Sequence, residues 1–88
     1  MLTINKEKVA EWMLLSYLAE QKYYEDKILF LERKHNANFV SFEEQINKSS
    51  SENFSNWDDY IDWKAYHNLY LNVSKMIEDV RLGNFKVA

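Results

Sequence analysis

From residue 6 to residue 35 the chain contains neither proline nor glycine, and the whole sequence has no proline and a single glycine, Gly83. Proline deletes an amide donor and clashes with the preceding turn, and an interior glycine costs about 1 kcal/mol relative to alanine. Nothing in this stretch therefore interrupts a helix. Its apolar and small positions Ala10, Leu14, Tyr17, Tyr24, Ile28 and Leu31 recur at a spacing of about 3.5 residues, the signature of one amphipathic helix. Thr3 and Asn5 are the candidate N-caps. Arg33, Lys34 and His35 place positive charge at the negative end of the helix dipole, and Asn36 or Asn38 supplies the exit.

The second half repeats the logic. In "SFEE" Ser41 stands three residues before Glu44, the spacing of a capping box, which predicts a short helix over 41–47. The small polar run "NKSSSEN", residues 47–53, reads as a flexible connection, because its serines compete for backbone hydrogen bonds. In "FSNWDD" the same capping spacing occurs twice, as Ser55 with Asp58 and Asn56 with Asp59, so a second long helix is expected from about 56 to 82. Gly83 stands where a left-handed cap costs least, and Phe85 follows as an apolar residue able to fold back, with 83–88 as a short tail. The fold class expected is all-α: one domain over 1–88, with two long antiparallel helices, about 5–35 and 56–82, joined by the short helix and the serine-rich connection.

Size turns this pattern into an expectation about assembly. A chain of 88 residues must shelter three Trp, six Tyr and five Phe, with 47% of its residues hydrophobic, and small chains bury proportionally little of their surface. The segment "WMLLSYL", residues 12–18, sharpens the point. At about 100° per residue its seven side chains point all round the helix axis, and only Ser16 is polar. Such a segment requires neighbours on more than one side, so the bundle is expected to be completed by dimerisation.

The aromatic stripe of the second long helix carries the candidate site. Trp63, Tyr66, Tyr70, Val73, Ile77 and Val80 follow steps of three and four along one face; Trp57 and Tyr60 extend it, and Ile61, Ala65, Leu69 and Met76 widen it. Core or interface packing explains such a face better than a cofactor box, which needs convergent polar groups. The residues expected to bind a partner are Trp57, Asp58, Asp59, Tyr60, Asp62, Trp63, Tyr66 and Tyr70. Aromatic side chains would anchor and carboxylates would steer. Between residues 43 and 62 six acids (Glu43, Glu44, Glu52, Asp58, Asp59 and Asp62) face Lys48 alone, a local charge of −5 that suits a basic partner.

Catalysis finds little support in the residues. Asp58 and Asp62 share a face at metal-ligand spacing, but neither has a histidine at the fourth position beyond it, so a metal-dependent enzyme ranks last among the readings. His35 and His67 belong to no zinc or nucleophile motif; His35 reads as a helix-end charge and His67 as a structural group within the aromatic face. The Arg-x4-6-His pattern of helical HEPN-type ribonucleases is missing, because only Lys34 separates Arg33 from His35. One glycine cannot build a phosphate-binding loop. No metal or other cofactor is expected. Zero cysteines leave no thiolate chemistry or disulfide. A net charge of −3 without a basic stripe argues against nucleic-acid binding. In the first helix the longest uncharged run, residues 12–19, is far short of the ~18 needed for a membrane span. No secretory pattern opens the chain, so a cytoplasmic location is expected.

"ENFSNWDDYIDWKAY", residues 52–66, resembles a pattern of the type F-x-x-W-D-D-Y-x-x-W-x-A-Y in small uncharacterised prokaryotic helical proteins, and "SFEEQI" is similar as well. These look like antitoxin-like partners that accompany small toxins. The resemblance covers about residues 28–87, on matching positions Phe54, Trp57, Asp58, Asp59, Tyr60, Trp63, Ala65 and Tyr66. It implies a non-enzymatic neutraliser of a basic protein encoded nearby, with no catalytic residues to carry over. The chain departs from operator-binding antitoxins in lacking a basic helix-turn-helix or ribbon arm, which puts DNA repression in doubt. The competing expectation is a homo-oligomeric helical scaffold.

Overall fold

A computed structural model describes residues 2–48 and 54–87, with the Phe54 side chain excepted. Among the described residues the fold is all-α: α1 (Lys6–His35), α2 (Phe39–Lys48) and α3 (Phe54–Arg81). The serine-rich connection expected at 47–53 falls largely outside the described residues.

Local chemistry sets the ends. Asn5, extended at φ −99°, accepts the Lys8 amide on its side chain and caps α1. At the far end Asn36 takes the left-handed conformation, φ 49°, and the Ala37 amide reaches back to the Glu32 carbonyl. α2 begins earlier than its capping box implied. Asn38 rather than Ser41 is the cap, its side chain accepting the Ser41 amide at 2.8 Å, and Phe39 thereby joins the helix. α3 likewise starts at Phe54, so Ser55 and Asn56 stand in its first turn. Gly83 adopts φ 75°, with its amide on Val80 O and the Asn84 amide on Asp79 O, the paired bonds of a Schellman motif.

α1 and α3 pack antiparallel along their lengths. Their register is pinned by Gln21 donating to the Ser74 hydroxyl at 3.1 Å, by His35 against Asp59 at 2.7 Å, and by the Lys6 ammonium donating to Gly83 O at 2.9 Å. The inward stripes are those the periodicity picks out. Leu31 is buried and Ala10, Leu14, Tyr17, Tyr24 and Ile28 are half-buried on α1; Trp63, Val73, Ile77 and Val80 are buried on α3.

The core is concentrated at one end. There α2 folds back so that Phe42 and Ile46 enclose Trp63 together with Leu31, flanked by Ile28, Phe39, Tyr60 and Tyr66. Trp63 is wholly enclosed, and a buried aromatic of about 200 Å² contributes about 5 kcal/mol at ~25 cal/mol per Å². Beyond α2 the molecule is a bare two-helix layer. The chain measures 62 × 18 × 18 Å, with a radius of gyration of 17.8 Å against about 12 Å for a compact domain of this length. Among the described residues no third element covers the outer faces of a layer this thin.

Candidate interaction surface

Two kinds of site residue emerge from the aromatic helix. Trp63 lies inside the chain's own core, stacked at 5.3 Å on Phe42, and its Nε1 meets no acceptor among the described residues. It is a folding residue. Tyr60, Tyr66 and Tyr70 are half-buried. The Tyr60 hydroxyl donates to Glu43 at 2.7 Å, tying α3 to α2, and this bond, burial and the Glu43 charge together raise the phenol's pKa. A hydrogen bond to Tyr23 chiefly raises that of Tyr66, with burial and the charges of Tyr23 and Asp62 adding to it. Trp57, Asp58 and Asp62 are exposed.

Asp59 separates from its acidic neighbours. It is half-buried, 2.7 Å from His35 Nε2 and 2.8 Å from the Lys34 ammonium. Burial works to raise its carboxyl, but the hydrogen bonds and charges of Lys34 and His35 outweigh that and hold it below the ordinary carboxylate range. The His35 ring in turn lies 4.2 Å from that of Phe42, tilted by 34°. The helix-end residue is thus also a ring beside the core. Sequence spacing carried no signal for this pair, whose members are 24 residues apart; the expected helix over 41–47 likewise leaves out Phe39, which joins Phe42 and Ile46 on one face of α2.

His67 lies flat against Phe39, centroids 5.6 Å apart and 3° from parallel. Asp58 and Asp62 are solvated carboxylates, and among the described residues no group of three His, Asp or Glu converges to hold a metal ion. Clefts along the hairpin vary in size: one of about 410 Å³ lies open at the end of α1 beside Leu29, Glu32, Arg33, Asn36 and Ala37, and one of about 270 Å³ lies between α1 and α3 at Glu25, Leu29, His67, Tyr70 and Leu71. One of about 150 Å³ is lined by Lys27, Phe30, Leu31, Asp59, Asp62 and Tyr66, and another of about 190 Å³ includes Met13, Tyr17, Met76, Val80 and Phe85, both below the ~300 Å³ at which small-molecule pockets begin. Phe85 does fold back, with the Lys6 ammonium 4.8 Å over its ring.

Uncovered apolar surface is the dominant feature. Trp12 (52% exposed), Leu15 (70%) and Phe30 (62%) lie on α1, with Trp57, Ile61, Leu69, Leu71 and Met76 on α3. The "WMLLSYL" segment explains it: Met13, Leu14 and Tyr17 turn toward α3, while Trp12, Leu15 and Leu18 face out. No helix among the described residues is long and apolar enough to cross a membrane, so this surface is not that of a spanning segment. The chain matches no protein-family model, and no curated protein or solved structure is significantly similar to it.

Proposed function

We propose that this chain is a non-enzymatic protein–protein interaction module whose thin helical hairpin is completed by another polypeptide. The observation that carries the reading is the exposure of large apolar side chains on the outward faces of both long helices. Solvating so many in a monomer is unfavourable, and contiguous apolar patches rimmed by charge mark interaction sites. At the α2 end Trp57 and Ile61 stand exposed beside Asp58 and Asp62, an aromatic anchor ringed by negative charge. That combination suits a basic partner, as in an antitoxin-like neutraliser acting in the cytoplasm, with the carboxylates accelerating encounter and the indole supplying contact area.

The test is coexpression with the product of the adjacent gene, followed by purification and light scattering. The expected result is a stoichiometric complex that Trp57→Ser together with Asp58→Asn weakens at least tenfold while the helical circular dichroism is kept. A chain that associates neither with itself nor with that product at tens of micromolar overturns the reading.

A further inference from the structure

The two long sides of the hairpin differ, and the difference identifies one of them as a surface for a second copy of this chain. On α3 the positions Asp62, Tyr66, Leu69, Val73, Met76 and Val80 follow steps of four and three and form one continuous row. Two small clefts open on this row, and one of about 270 Å³ on the opposite side: Asp62 and Tyr66 line the first with Lys27 and Phe30, and Met76 and Val80 line the second with Met13. Tyr23, 6.2 Å from Tyr66, lies on the same side between them. Its exposed apolar members are Tyr23 (53%), Phe30 (62%), Leu69 (42%) and Met76 (41%). The opposite side, where Glu25, Leu29 and Glu32 meet His67, Tyr70 and Leu71, also carries Glu7, Glu11, Lys64 and Glu78 at the same helical phase.

From this asymmetry we infer that the chain forms a twofold homodimer through the Tyr66–Met76 side, with the dyad parallel to the helices, so that α1 of each copy lies on α3 of the other. The inference rests on the interaction reading above and names the occupant.

Two further observations select a second copy. The first is area. The chain exposes 6841 Å², whereas a compact monomer of this mass exposes about 5,500 Å². The excess of about 1,300 Å² per chain is what each partner contributes to an obligate homodimer interface of roughly 2,000–5,000 Å². The second is charge. Gln21 on Ser74 and His35 on Asp59 fix which residues of α1 and α3 lie level, and rotation about the long axis keeps those levels. Lys27 of one copy, and Lys34 beside its own Asp59, then lie on either side of the level of Asp62 of the other. By the same register Phe30 falls over Tyr66, Tyr23 over Leu69 and Val73, and Met13 over Val80, so apolar side chains meet apolar ones along the interface.

Sedimentation equilibrium and light scattering on the full chain test this. The wild type is expected at twice its 10.6 kDa chain mass at tens of micromolar. Phe30→Glu, on an exposed position, raises the dimer dissociation constant at least tenfold with helical content retained, whereas Leu71→Glu on the opposite side leaves it within about twofold. Lys27→Glu and Asp62→Lys each weaken the dimer, and mixing the two variant chains restores it, which a pair within one chain could not do; both sites are exposed, so this arm reads association even where Phe30→Glu fails to fold. A wild type of single-chain mass at 100 µM overturns the proposal, as does a Leu71→Glu effect equal to that of Phe30→Glu, or a mixture of the two charge variants no better associated than either alone. A monomer that still binds the adjacent gene's product sinks the homodimer alone, whereas one that binds neither sinks the interaction reading with it.

Discussion

Trp63 and Asp59 stand four residues apart on one helix and show how differently two side chains can be held. Trp63→Ala empties the centre of the only fourfold junction of buried side chains among the described residues and is expected to cost about 3–5 kcal/mol, read as a fall in the urea midpoint. Trp63→Phe should cost much less, about 1 kcal/mol, because a buried indole N–H without a protein acceptor already carries a penalty of about 1–3 kcal/mol that phenylalanine does not. Asp59 acts through charge. Its folded-state carboxyl titrates below its unfolded value of about 3.9, so its contribution is fully present above that value and is lost as the pH falls through the depressed folded one. Urea midpoints measured from pH 6 down to pH 2 should therefore fall less steeply for Asp59→Asn than for the wild type at the acid end; parallel curves would show that the contact with Lys34 and His35 carries no stability. The sequence placed Trp63 on the inward stripe because helical period is a local property. It gave no hint that Asp59 differs from Asp58 and Asp62, since only the return of α1's last turn against α3 distinguishes them.

At the scale of the helix the ends reveal most. Gly83 and Asn36 both hold the left-handed conformation, but only glycine does so without steric cost. A Cβ on Gly83 would meet nothing closer than the Lys6 ammonium at 4.0 Å, so Gly83→Ala tests the backbone conformation by itself: about 1 kcal/mol lost, or a melting temperature some 4–8 °C lower. Asn36→Gly should be neutral or slightly stabilising in the same thermal scan. A loss at Asn36→Gly would mean that its side chain supports the turn. These termini show why helix existence was legible while helix starts were not. Long 3.5-residue periodicity and an absence of breakers determine α1 and α3 almost by themselves. Where a helix begins depends on which of several Asn and Ser side chains captures a free amide. Asn38 takes that of Ser41, which brings Phe39 into α2 and sets it against His67 and Tyr60. Two cap candidates in a row leave that competition undecided until the fold brings Phe39 a surface to pack on.

Across the whole molecule the tension is between a well-closed end and a bare one. The α2 end encloses Trp63, whereas the remainder of the hairpin is two helices with apolar residues facing outward on both. Helices gain most of their stability from packing an amphipathic face rather than from intrinsic propensity. On the early turns of α1 the apolar side chains, Trp12 and Leu15 above all, find no cover among the described residues. If a second copy supplies it, folding and association are linked, and stability must depend on protein concentration. For a dimer that dissociates as it unfolds, each tenfold rise in concentration adds about 1.4 kcal/mol per mole of dimer. For a folding unit of twice this chain's length that corresponds to a melting temperature about 3–6 °C higher per decade. Circular dichroism melts between 1 and 100 µM read this directly, and with Phe30→Glu the dependence should flatten while the dilute-limit stability stays near that of the wild type. Should the wild-type melting temperature hold constant over the same range with full helical signal at 1 µM, the hairpin is self-sufficient and its outward aromatics are solvated side chains rather than half of an interface.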